Sequence, residues 1–149
     1  MVTAAQTQNG DYTRIAEAVG TASALGTATA HASSGGGCND GGGSGYSYVV
    51  ACISASGAKL EPNLYVLDNS PPCTSVSIWV NNANENQLTV WSDQTVNNGC
   101  ALGIHGPWPL TSANTPGIVD GDTYYVYVRM NFRSGGYELL ESPTEVLKY

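Results

Sequence analysis

The stretch TYYVYVRMNFR, residues 123–133, decides the fold. Tyr124, Val126, Val128, Met130 and Phe132 fall on one side of a period of two, and Tyr125, Tyr127 and Arg129 on the other. Successive side chains of a strand point to opposite faces, so this pattern predicts a strand with an aliphatic inner face and an aromatic outer one. Upstream, TSVSIWVN (74–81) repeats it, with Val76, Ile78 and Val80 inward and Ser75, Ser77 and Trp79 outward. QLTVWS (87–92) follows a polar turn and is expected to close a hairpin, with Trp91 sharing the outer face of Trp79.

The flanking segments read the same way. YSYVVACISA (46–55) is apolar on both faces, as in a central strand covered twice. NLYVLD (63–68) is a strand whose start is marked by Pro62. Residues 94–122 are loop-like, with a short strand at 101–104. After 133, Ser134-Gly-Gly turns the chain into YELLES, and Pro143 precedes a last strand, TEVLKY. About seven to eight short strands at regular spacing, with no convincing core helix, predict an all-β fold, an antiparallel β-sandwich of Ig-like or jelly-roll type.

Residues 118–149 resemble the end of a fibronectin type III or related immunoglobulin-like domain. The resemblance is carried by Gly121, Tyr124, Val126 and Val128, with Ile118 six residues before the tyrosine. A Gly-bearing turn, Ser142-Pro143 and a final strand complete it. It implies that Tyr124 tucks its hydroxyl back onto the preceding loop. It also implies binding, spacing or assembly roles. Asp120 stands where that pattern usually has proline.

The front of the chain differs. In GTASALGTATAHAS, residues 20–33, Ala22, Ala24, Gly26, Ala28 and Ala30 place minimal side chains at alternate positions. A strand so built lets another layer approach closely but buries little area of its own. It is expected to act as an extended N-terminal arm that adds to a sheet. SSGGGCNDGGGSG (33–45) has a linker's composition, except that Cys38 would pin it to the body. The expected organisation is an arm over 1–45 and a sandwich over 46–149.

Composition narrows the function. Charged residues are 11% of the 149, and the net charge is −7. The five basic residues (Arg14, Lys59, Arg129, Arg133 and Lys148) are scattered, which leaves no footprint for nucleic acid. No apolar run of about 18 residues exists, so no membrane insertion is expected. The first residues show no secretory pattern, so a signal is expected to have been removed or another route, such as virion assembly, used.

Cys38, Cys52, Cys73 and Cys100 match no zinc spacing. Their even count in a Gly/Ser/Thr-rich chain points to two disulfides and an oxidising location, extracellular or on a virion or cell surface. Three pairings are possible, and buried free thiols are the alternative; the local pairing, Cys38–Cys52 with Cys73–Cys100, is the expected one.

Little points to catalysis. His31 and His105 have no nucleophile elbow near them. Asp120-Gly121-Asp122 reads as a turn rather than a calcium loop, and Asp40 as a turn residue. GGGCNDGGGSG lacks the Lys-Ser/Thr ending of a phosphate loop. No cofactor, no metal and no enzymatic activity are expected. Two functions remain. One is a structural subunit of an extracellular or virion-surface filament or coat layer, a homo-oligomer joined by its arm. The other is a secreted module that binds a glycan or a protein through Trp79, Trp91, Trp108, Tyr125 and Tyr127.

Overall fold

The computed structural model describes residues 32–39 and 47–149. Among these residues the chain is all-β, with no helix, in two antiparallel sheets. The arm positions Ala22, Ala24, Gly26, Ala28 and Ala30 lie outside the described residues, as do His31 and Asp40.

Ten short strands build the sheets. The first contains β1 (Ser34–Gly35), β5 (Cys73–Asn82), β6 (Leu88–Asp93), β8 (Thr123–Phe132), β9 (Tyr137–Glu141) and β10 (Glu145–Val146). Its order is β1-β10-β8-β5-β6, and β9 shares with β10 the edge of β8 that faces away from β5. The second holds β2 (Gly37–Asn39), β3 (Val49–Ser56), β4 (Lys59–Val66) and β7 (Gly103–His105), in the order β2-β3-β4-β7. The chain therefore makes the β3–β4 hairpin in the second sheet and the β5–β6 hairpin in the first, returns to the second for β7, and finishes in the first with the β8–β9 hairpin and β10.

The period of two is what packs the layers. Val76, Ile78 and Val80 of β5 and Tyr124, Val126, Val128 and Met130 of β8 are all fully buried. Val49, Ala51, Ile53, Leu60, Leu64 and Val66 answer them from the second sheet. On the outer side of β3, Val50 and Cys52 are buried too, so this central strand is covered on both faces. Fully burying one such aliphatic side chain is worth about 1.5–3 kcal/mol, so this interleaved set is the main stabilising term.

Pro62 sits inside β4, not before it. A residue of an antiparallel strand directs its N–H and C=O to the same side. Leu60 exchanges both bonds with Leu110 at 2.8 Å, and the Pro62 carbonyl accepts Trp108 N–H at 3.0 Å. The missing N–H of Pro62 thus falls on the side away from β3, where no ladder bond requires it.

Residues 34–39 belong to the body. Ser34–Gly35 pairs with β10, and Gly37–Asn39 pairs with β3, so the chain passes from one sheet to the other at Gly36. Gly36 has φ +81, and a Cβ there would lie 2.7 Å from the Ile53 carbonyl oxygen. Only glycine makes that crossing without strain. The stretch with a linker's composition is a seam between the layers.

Both disulfides take the local pairing. Cys38–Cys52 joins directly opposed residues of β2 and β3, and Cys73–Cys100 ties the start of β5 to the long loop before β7. The flank between β9 and β3 is closed by Glu138, whose carboxylate accepts the Tyr48 and Val49 amides at 2.7 and 3.1 Å.

β9 and β10 read in sequence as two segments around Pro143, and the break has a local cause. At Val126 the amide bonds to the Ser142 hydroxyl at 2.8 Å, while Ser142 N–H donates to the Val126 carbonyl at 2.8 Å. A side-chain oxygen there stands in for a ladder carbonyl.

Candidate binding face

The outer face of the first sheet carries a row of aromatic and polar side chains. Alternation along β8 turns Tyr125, Tyr127, Arg129 and Asn131 outward. Register then fixes their neighbours. Tyr127 lies between Trp79 of β5 and Glu141 of β9, and Arg129 between Ser77 and Leu139. Asn131 lies between Ser75 and Tyr137, and Tyr125 is opposite Asn81.

These side chains hold one another in place. The Arg129 guanidinium lies 3.9 Å from the Tyr137 ring centre, and its Nε donates to Asn131 Oδ1 at 2.8 Å. Asn131 Nδ2 donates to Ser75 Oγ at 3.0 Å. Among the described residues no carboxylate lies within 4 Å of Arg129. Tyr125 and Tyr127 meet edge-to-face with centroids 5.4 Å apart. Burial, then the Glu141 and Tyr125 charges, push the Tyr127 phenol above its ordinary pKa, so it stays neutral and can both donate and accept a hydrogen bond.

The five aromatic candidates separate. Trp79 and Tyr127 are half-buried, directly opposed, and open to the outside. Tyr125 shares their face but is only 3% exposed. Its hydroxyl bonds to Gln87 Oε1 and accepts from Asn81 Nδ2, which is itself tied to Thr89 through Oδ1 at 2.8 Å. Tyr125 is thus a buried support for Tyr127 and no contact residue.

Trp91 does not share the face of Trp79. A register shift between Val80 and Asn81 places Trp91 opposite Val80 and Trp79 opposite Ser92. One extra residue on β6 reverses which side its neighbours occupy. Trp91 therefore turns toward the core, where it meets Trp108 with ring centroids 5.5 Å apart. Together they close the flank of the sandwich between β6 and the loop after β7.

The other candidates are structural. Tyr124 is fully buried, accepts Val119 N–H at 2.7 Å and donates to the Gly117 carbonyl at 2.9 Å. His105 Nε2 bonds to the Ala101 carbonyl at 2.8 Å. Asp120 accepts Tyr149 N–H at 2.9 Å and Asp122 accepts Asn82 Nδ2 at 2.8 Å, so both carboxylates fasten the turn into β8. Among the described residues no His, Cys, Asp and Glu group could hold a metal, and no helix is long and apolar enough to cross a membrane.

Sequence reasoning missed Tyr137, Leu139, Glu141 and Asn131 as members of this face. Their signal was the alternation in YELLE, but only the register with β8 shows what they adjoin. No family model, curated protein or solved structure matches this chain.

Proposed function

We propose that this protein is a non-enzymatic binding module of an extracellular, oxidising setting, and that the outer face of its first sheet takes a carbohydrate. One observation carries the reading: the row Trp79–Tyr127–Glu141, laid across three strands beside Arg129 and Asn131. An indole and a phenol on a flat sheet offer surfaces on which the apolar side of a sugar ring stacks. The adjoining carboxylate, guanidinium and amide suit ring hydroxyls, with orientation fixed by the sheet rather than by a loop. Two disulfides fit the oxidising setting. The hydrogen bonds of Tyr124 support the likeness of residues 118–149 to the end of a fibronectin type III domain.

The test is titration calorimetry of the full chain against a panel of soluble neutral and acidic oligosaccharides. Saturable binding is expected. Trp79→Ala or Tyr127→Ala should weaken it about tenfold or more, equivalent to about 1.4 kcal/mol. Absence of binding across the panel, or binding that Trp79→Ala leaves unchanged, contradicts the reading.

The structural-subunit reading rests on a separate observation. Among the described residues β1 pairs only with β10, so the chain joins the body as an edge strand, with Ser33 tied to the Lys148 backbone. Residues 20–33 precede that strand directly. Sedimentation of the full chain against a chain lacking residues 1–31 tests it, and loss of a large species on truncation is the expected result.

A further inference from the structure

Among the described strands of the first sheet, Arg129 is the one basic residue. Those strands also carry Asp93, Glu138, Glu141 and Glu145, none of which lies within 4 Å of its guanidinium. Register keeps them apart. Glu138 stands opposite Met130, so it turns inward and takes the Tyr48 and Val49 amides. Glu145 is 4% exposed and opposite Tyr124, and Asp93 lies opposite Ile78. Glu141 stands opposite Tyr127, one outward position along β9 from Leu139, the neighbour of Arg129.

The guanidinium is nevertheless held in one orientation. It lies over the Tyr137 ring, 3.9 Å from the centre, and its Nε donates to Asn131 Oδ1 at 2.8 Å. Asn131 is in turn fastened to Ser75 at 3.0 Å. The bond to Asn131 occupies the side-on edge of the guanidinium. The end-on edge, formed by Nη1 and Nη2, has no hydrogen-bond partner among the described residues. Its cross-strand neighbours supply none: the Ser77 hydroxyl is given to the Gln94 carbonyl at 2.6 Å, and Leu139 is apolar. Two parallel N–H groups in a fixed fork match the two oxygens of a carboxylate.

The place of this edge suits a charged sugar. Tyr127 and Arg129 are successive outward residues of β8, about 6.8 Å apart along the strand. Trp79 lies directly across from Tyr127. A pyranose ring stacked on that pair reaches Arg129 with a carboxylate carried on its C5, as in a uronate. Glu141, beside Tyr127, repels the same group, so the carboxylate points to the Arg129 end and the hydroxyls to the Glu141 end. The net charge of −7 attracts no anion from a distance, so preference for one has to come from this local fork.

We infer that the ligand of this face is a uronate-containing saccharide whose carboxylate is bound end-on by Nη1 and Nη2 of Arg129. The inference rests on the carbohydrate reading and narrows it to one acidic class. A carboxylate seated there gains two charge-assisted hydrogen bonds, which are stronger than those a neutral hydroxyl or ester makes. Tyr137 and Asn131 act as positioning residues, because they aim the fork and touch no ligand atom themselves.

The experiment is titration calorimetry of the full chain with oligomers of galacturonate, glucuronate and mannuronate. Each is compared with its methyl ester, which keeps the ring and hydroxyls and removes the charge. Arg129→Gln and Arg129→Lys accompany the native chain, and near-ultraviolet circular dichroism checks that each is folded. The native chain should bind at least one acid about tenfold or more tighter than its ester. That ratio should fall to about one in Arg129→Gln, and Arg129→Lys should recover only part of it, since an ammonium lacks the planar fork. Four results would overturn the inference. Acid and ester bound equally by the native chain is one, and it leaves the carbohydrate reading standing. Neutral oligosaccharides bound while no uronate binds is the second, with the same consequence. A preference for acid that survives intact in Arg129→Gln or in Arg129→Lys is the third, and it removes the end-on fork. Binding of no saccharide, neutral or acidic, is the fourth, and it removes the carbohydrate reading as well.

Discussion

Trp91 of β6 stands directly opposite Val80 of β5, and this pairing puts its indole on the core side of the sheet while Trp79 stays outside. The two tryptophans are twelve residues apart and were expected on one face. One bulge separates a packing role from a contact role. Trp91→Ala should therefore cost about 3 kcal/mol of stability, within the range for removing a large core aromatic. Trp79→Ala should cost about 1 kcal/mol or less. Urea unfolding followed by far-ultraviolet circular dichroism measures both, and equal costs would place the two indoles in equivalent surroundings.

Tyr124 closes the loop before β8 by serving two backbone groups at once, the Val119 N–H and the Gly117 carbonyl. Tyr124→Phe keeps the ring and leaves both groups without that partner. Each net hydrogen bond is worth about 1 kcal/mol, and an unsatisfied buried group costs about 1–3. A loss of about 2 kcal/mol is expected, with slower-protected amides at Val119 becoming fast in hydrogen exchange. A change below about 0.5 kcal/mol would mean that water replaces the hydroxyl without cost.

Alkaline pH should weaken the fold through two phenols. Tyr124 is pushed above the ordinary value of 10.0, chiefly by burial, and Tyr127 by burial and then by the charges of Glu141 and Tyr125. In the unfolded chain both release their protons near the ordinary value, while the folded protein still holds them. The folded state then binds more protons, so stability falls as pH rises. The contribution is fully present below about pH 10 and is lost as pH climbs through the folded values. The urea midpoint should drop across that window, and Tyr127→Phe should make the drop shallower. A midpoint that rises with pH there contradicts the assignment.

The disulfides should contribute unequally. Cys38–Cys52 spans 14 residues and Cys73–Cys100 spans 27. In the chain-entropy picture these loops are worth about 3 and about 3.5 kcal/mol. Cys73→Ala with Cys100→Ala should be the more destabilising pair in urea unfolding. The other pair should chiefly free residues 37–39 from β3, visible as faster hydrogen exchange at Asn39 and Ile53.

Much of the architecture was readable from alternation alone. The inner faces of β5 and β8 follow directly from Val76-Ile78-Val80 and from Tyr124 through Phe132, because a strand buried on one side has no other way to place them. What escaped the sequence depends on register. A one-residue bulge beside Val90 leaves no compositional mark, yet it moves Trp91 across the sheet. Pro62 reads as a boundary until Trp108 is seen to bond its carbonyl. Gly35, Gly36 and Gly37 read as linker until both sheet partners are in place. The candidate face was half legible for the same reason. Trp79 and Tyr127 lie on recognisable strands, while Tyr137, Leu139 and Glu141 become their neighbours only through the pairing of β9 with β8.

The most direct measurement is a nuclear magnetic resonance titration of the isotope-labelled full chain with a panel of soluble oligosaccharides. The account predicts saturable shifts concentrated on the Trp79 indole N–H and on the amides of Tyr127, Arg129, Asn131, Leu139 and Glu141. Trp91 and Trp108 should stay still. Shifts centred on Trp91 and Trp108, or no saturable shift with any member of the panel, would contradict it.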